Sequence, residues 1–214
     1  MQLRAVIFDL GGVVVPSPIA AFRVYERESG LPHRFISEVI VNSGDEGAWS
    51  KLERGELTLA EFGTAFEAEC AAAGQTVSAG NMLACLHGGN GFHDVMVTAI
   101  RRIRDKGLRT AALTNNWGMD ANEGTTEGKS QLMELFDVVV ESHVEGLRKP
   151  DPRIYELVCE RLGVEPAEAV FLDDLGVNLK PARAMGMTTI KVEDPDAAVA
   201  ELEATLGFPL RNGG

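Results

Sequence analysis

Five short runs rich in Val, Ile and Leu recur along this chain: RAVIFD (4–9), LRTAALT (108–114), DVVVES (137–142), AVFLDD (169–174) and TTIKV (188–192). They are continuous rather than alternating, the pattern of strands covered on both faces. Segments of helical period stand between them. FHDVMVTAIRRIRDKG places Val95, Met96, Ala99, Ile100 and Ile103 on one face and stops at Gly107. DPRIYELVCERLG has an N-cap residue, Asp151, then Pro152 at the first helical position and Gly163 at the end. DPDAAVAELEATLG repeats that grammar from Asp194 to Gly207. Such alternation predicts an α/β chain with a Rossmann-like, doubly wound parallel sheet.

One stretch breaks the rhythm. From 16 to 91 the pattern is helical without a convincing strand. Ser17-Pro18 opens one helix, and Thr58 with Glu61 forms a capping box ahead of Phe62 and Phe66 on one face. Gly74, Gly80 and Gly88-Gly89 punctuate the rest. Such a stretch is too long for a loop. It predicts an all-helical cap at 16–91, inserted into a core made of 1–15 and 92–214.

Composition narrows the classes. The chain has 214 residues, 45% of them apolar, enough for a sizeable core. No apolar run approaches the ~20 residues that cross a bilayer. A strand within the first ten residues leaves no room for signal-peptide anatomy, so a cytoplasmic protein is expected, without a membrane partner. A net charge of −12 argues against nucleic acid. It does not exclude a phosphorylated metabolite, because a metal ion and one lysine reverse the sign locally. Monomer and homodimer are both compatible with these features. The three cysteines, Cys70, Cys85 and Cys159, form no CxxC pair and read as reduced structural thiols.

In an open parallel sheet, ligands bind beyond the carboxyl ends of the strands. This chain delivers there Asp9, then Thr114-Asn115-Asn116, then Asp173-Asp174, with Lys149 following the third strand in EGLRKPDP. Acids from two strand ends suit a hard divalent cation such as Mg²⁺. A hydroxyl and a lysine beside them suit phosphate oxygens.

With FDLGGV, TNN, RKPDPRIY and FLDDLGVNLKPAR in this order, the chain resembles the haloacid dehalogenase superfamily, most of whose members are phosphatases. Within it, the chain looks like the phosphatase-like N-terminal domains of soluble epoxide hydrolase and of an acyl-CoA dehydrogenase family member. The resemblance covers the whole chain. It implies that Asp9 is a nucleophile forming an aspartyl-phosphate. Thr114 would bind a phosphoryl oxygen, Asn115 would add a donor, and Lys149 would hold nucleophile and phosphate together. The resemblance also implies a Mg²⁺ site built from Asp9, the Gly11 carbonyl and Asp174, with Asp173 sharing or supporting it.

Gly11 departs from the family pattern. Most family phosphatases have an Asp there that protonates the leaving oxygen and later activates water, help worth about 10²–10⁴ in rate. Three readings follow. Phosphatase activity persists, with another acid or a water chain substituting, and His33, Asp45, Glu46 and Glu53 of the cap are the candidates. Or the chain is a metal-independent dehalogenase, which needs no leaving-group proton but leaves the Asp173-Asp174 pair without a purpose. Or it is a non-catalytic or weakly active module that binds a phosphorylated metabolite.

Some polar residues have simpler roles. His33, His87, His93 and His143 show no metal-ligand spacing. Asn178 reads as the N-cap of NLKPAR. Gly11-Gly12 turns the chain sharply and brings backbone amides toward a ligand. Trp49 belongs to the cap core or a lid contact, and Trp117 lies close enough to Asn116 to touch a substrate.

Overall fold

A computed structural model describes residues 2–86, 91–117 and 133–211. His87, Gly88-Gly89 and the tail residues 212–214 lie outside them. The elements run β1 (Ala5–Phe8), α1 (Pro18–Glu28), α2 (Phe35–Ser43), α3 (Ala48–Glu53), α4 (Leu59–Ala72), α5 (Ala79–Leu86) and α6 (Asp94–Asp105). They continue with β2 (Arg109–Thr114), β3 (Val138–Glu141), α7 (Ser142–Glu145), α8 (Pro152–Leu162), β4 (Ala169–Asp173), α9 (Gly176–Ala184), β5 (Thr188–Lys191) and α10 (Pro195–Leu206).

The five strands form one parallel sheet in the order β3-β2-β1-β4-β5. β1 is central, with Phe8 opposite Ala112 on one side and Leu172 on the other. The chain turns back on itself between β3 and β4, so the switch point falls between β1 and β4. That crevice is flanked by Asp9 and Asp173.

Strand periodicity divides the core into two layers. Val6 and Phe8 face α6 and α10 together with Ala112, Val170 and Leu172. Ala5 and Ile7 face α8 and α9 with Ala111, Leu113, Ala169 and Phe171. Because successive side chains point to opposite faces, a strand buried on both sides must be apolar throughout. Cys159 packs in the second layer as expected. The predicted caps on α1, α8 and α10 form: Ser17, Asp151 and Asp194 each accept a backbone N–H of their own first turn.

The helical insert builds a third apolar cluster of its own around Trp49. Phe22 and Phe62 meet the indole edge-on at 5.4 and 5.8 Å, and Phe62 stacks on Phe66 at 5.2 Å. The Thr58–Glu61 capping box starts α4. The starts of α2, α3 and α5 are satisfied differently, by carboxylates from other helices. Glu26 of α1 accepts the Arg34 and Ile36 N–H groups, both at 2.9 Å. Glu69 and Glu67 of α4 accept those of Ala48 (2.8 Å) and Ala79 (2.9 Å). Acids at helix N-termini also complement the dipole. No helix among the described residues is long and apolar enough to cross a membrane.

Candidate active site

Lys149 reaches back to the switch point and lies buried there, its side chain 1% exposed. Its ammonium is 2.9 Å from Asp9 Oδ1 and donates to Asp173 Oδ2 at 2.7 Å. The Leu10 backbone N–H also donates to Asp9 Oδ1, at 2.7 Å, which fixes the carboxylate.

Asp173, at the end of β4, is fully buried and fully engaged. Besides Lys149, it accepts the Leu175 N–H at 2.8 Å and the Asn178 amide at 3.0 and 3.1 Å. Asn178 therefore is not an N-cap. Leu175 occupies that position, and Asn178 sits in the first turn of α9 with its side chain turned onto Asp173. The Asn178 carbonyl in turn accepts the Tyr155 hydroxyl at 2.8 Å. The expectation failed because a spacing of five residues from an acid says nothing about where an amide points.

Asp174 stands apart from that network. Among the described residues its side chain is met by the Ser17 hydroxyl, at 3.4 Å. Asp9, Asp173 and Asp174 nevertheless present oxygens that all lie within 4.8 Å of one another. Three carboxylates thus face one ammonium. Burial raises Asp9 well above the usual carboxylate range; Lys149 pulls against it and Asp173 adds to it. Burial, followed by the Asp173 charge, pushes Asp174 up to about 6. Burial pulls Lys149 down, but Asp173 and Asp9 outweigh it and the ammonium is held charged. An all-oxygen donor set with surplus buried negative charge fits a hard divalent cation.

Thr114 is buried at the end of β2. Asn115 pairs its amide with the Lys149 backbone, accepting the N–H at 2.8 Å and donating to the carbonyl at 3.0 Å. This joins the end of β2 to the lysine. Trp117 turns into the insert, its ring 5.2 Å from Trp49.

Gly11 sits between Asp9 and a positive-φ turn at Gly12. Its own backbone is of a kind any residue adopts, and a β-carbon there would lie 3.3 Å from Pro18 Cδ. Glu53 offers no free acid in its place. Both Glu53 oxygens accept hydrogen bonds, from Trp49 Nε1 and Arg148 Nε. Asp45 pairs with Arg148 and Glu46 with Lys51, both largely exposed, and His33 is exposed.

Ser17, Ser142, Arg148 and the bonding role of Asn178 were not read from the sequence as parts of this site. Only Arg148, next to Lys149, carried any signal.

Residues 3–186 match the haloacid dehalogenase-like hydrolase family. Mouse acyl-CoA dehydrogenase family member 10 is 45% identical over 98% of this chain, which spans 20% of that protein. Pig bifunctional epoxide hydrolase 2 is 34% identical over 98% of the chain, which spans 40% of it. The resemblance read from the motifs is therefore borne out, and the chain corresponds to a minor part of each of these longer relatives. A Bacteroides thetaiotaomicron enzyme of the same superfamily, solved with magnesium and inorganic phosphate, superimposes with a TM-score of 0.61 at 22% identity, over 90% of this chain and 96% of that one. At that identity the likeness concerns the fold.

Proposed function

The chain belongs to the haloacid dehalogenase-like hydrolases, and from that footing we propose that it is a Mg²⁺-dependent phosphatase of small phosphorylated metabolites, acting through Asp9. The observation that carries this reading is the Lys149 ammonium, held between Asp9 and Asp173 beside the further carboxylate of Asp174.

Asp9, Asp174 and the Gly11 carbonyl are the groups that would hold Mg²⁺. When bound, the cation supplies charge neutralisation at phosphoryl oxygens. Asp173, with its oxygens engaged by Lys149, Leu175 and Asn178, serves to hold the lysine. The Asp9 carboxylate attacks phosphorus in line, forming an O–P bond as the bond to the leaving oxygen breaks. Lys149 offsets the repulsion between carboxylate and phosphate, and the Thr114 hydroxyl binds a phosphoryl oxygen. Water then attacks phosphorus, releasing phosphate and restoring Asp9.

Gly11 gives neither step an acid or a base from its own side chain, and the engaged state of Glu53 supports water in that role. Leaving groups that depart without a proton, aryl and acyl phosphates, are therefore favoured over alkyl phosphates. Residues 16–91 act as the cap, restricting the site to substrates small enough to enclose. The unpaired cysteines support a reducing compartment, the cytoplasm, and we read the working unit as a monomer or homodimer.

The experiment is phosphate release from aryl, acyl and sugar phosphates, with Mg²⁺ or EDTA, beside Asp9→Asn. Turnover lost in both EDTA and Asp9→Asn supports the proposal. Folded, Mg²⁺-binding protein with no turnover on any substrate would favour a binding module instead.

A further inference from the structure

Arg148 precedes the central lysine and reaches into the helical insert. Its Nε donates to Glu53 Oε2 at 2.7 Å, and its Nη1 donates to Asp45 Oδ1 at 3.3 Å. Glu53 closes α3 with its side chain 8% exposed, and its other oxygen accepts the Trp49 indole N–H at 2.9 Å. Burial raises the Glu53 carboxyl, and Arg148 pulls against that rise.

The same turn meets the core twice more. The Glu53 carbonyl accepts the Ser142 hydroxyl at 2.6 Å, and the oxygen of that hydroxyl accepts the Asn116 N–H at 2.9 Å. Gly55, at φ +69, lies so near the His143 carbonyl that a β-carbon would be 2.6 Å from its oxygen. The end of α3 is thereby tied to both segments bearing the phosphate-binding groups, 114–117 and 148–149.

We propose that Glu53 and Arg148 are a positioning pair through which the docked cap sets the place of Lys149. Neither residue touches the reacting atoms. Lysine is a flexible point charge, so its place is decided by what fixes its backbone and its partners. Asn115 holds that backbone from the β2 side and Arg148 from the cap side. Removing Arg148 leaves the buried Glu53 carboxylate without its cation, and removing the Glu53 charge leaves Arg148 only the exposed Asp45, so either change frees the loop to move. A shift of about 1 Å in a reacting group costs on the order of 10² in rate. The inference rests on Lys149 being the phosphate-binding cation.

Glu53→Gln, Arg148→Leu, their combination and Arg148→Lys test it by two readouts. These are kcat/KM for an aryl phosphate, and the Kd for inorganic phosphate with Mg²⁺ present. Each of the first two variants should lower kcat/KM and raise the Kd by about tenfold or more. The double variant should be no worse than either single, the mark of coupled residues. Arg148→Lys, keeping the charge, should recover part of the loss. Values within twofold of the parent overturn the proposal, even if the unfolding midpoint falls, and so do losses that multiply in the double variant. A parent without turnover but with the Kd shifts intact counts against the phosphatase alone. A parent that binds no phosphate overturns both.

Discussion

Gly12 and Asp174 stand in such close contact that a β-carbon on Gly12 would lie 2.3 Å from the Asp174 carboxylate oxygen Oδ2. Gly12 also has φ +77, a conformation that L side chains rarely adopt. The turn after β1 and the acid after β4 therefore occupy space that only a glycine leaves open. Gly12→Ala must push Asp174 aside. Displacing a group that orients a metal ligand typically costs about 10–100-fold in affinity. Titration calorimetry with Mg²⁺ should show that loss, and an unchanged affinity would mean that Asp174 is not the ligand.

Lys149→Met should leave Asp9 and Asp173 facing each other without their cation. Breaking a buried pair by removing one partner costs about 3–5 kcal/mol. Urea unfolding measures it, and phosphate release should fall to background in the same protein. A variant as stable as the parent would show that the carboxylates are already neutral in the fold.

Gly11→Asp introduces the side chain usual in the family, and its β-carbon asks Pro18 to yield by a few tenths of an ångström. Its effect should depend on the leaving group. Hydrolysis of alkyl phosphates should gain about 10²-fold or more, the scale of general acid–base help, with aryl phosphates gaining much less. Equal gains on both, measured as kcat, would locate the missing function elsewhere.

Glu26→Ala should unfold the insert more easily. The carboxylate accepts two backbone N–H groups at the start of α2, and hydrogen bonds to charged groups contribute about 1.5–3 kcal/mol each. Chemical denaturation followed by Trp49 fluorescence reads the loss. An unshifted Trp49 transition would mean that water replaces the carboxylate at no cost.

Glu203 supplies a pH-dependent contribution. The Arg211 side chain and the backbone N–H groups of Leu210 and Arg211 hold it down to about 2, from an ordinary value of 4.5. A depressed carboxyl stabilises the fold above its unfolded value, and that contribution is lost as pH falls from 4.5 toward 2. Glu203→Gln should unfold at lower temperature than the parent at pH 7, with the gap closing by about pH 2. A gap that does not change with pH would assign the effect to packing.

The strands, the helix ends and the long helical insert were legible because their causes are local. Runs of Val and Ile, Asp-Pro openings, the Thr58–Glu61 box and closing glycines act within one strand or one turn. The motif order was legible too, since Asp9, Thr114 and Asp173-Asp174 sit at strand ends that periodicity marks. What stayed hidden was which polar groups meet. Asn178 looked like a cap and holds Asp173, and Asn115 clamps the Lys149 backbone. Trp117 packs on Trp49. Ser17 meets Asp174 across 157 positions of sequence, and Glu53 meets Arg148 across 95. A side chain's local pattern fixes the element it belongs to. Its partner is fixed by where other elements pack, and that is decided by burial of the three apolar clusters together, which no short stretch of sequence contains.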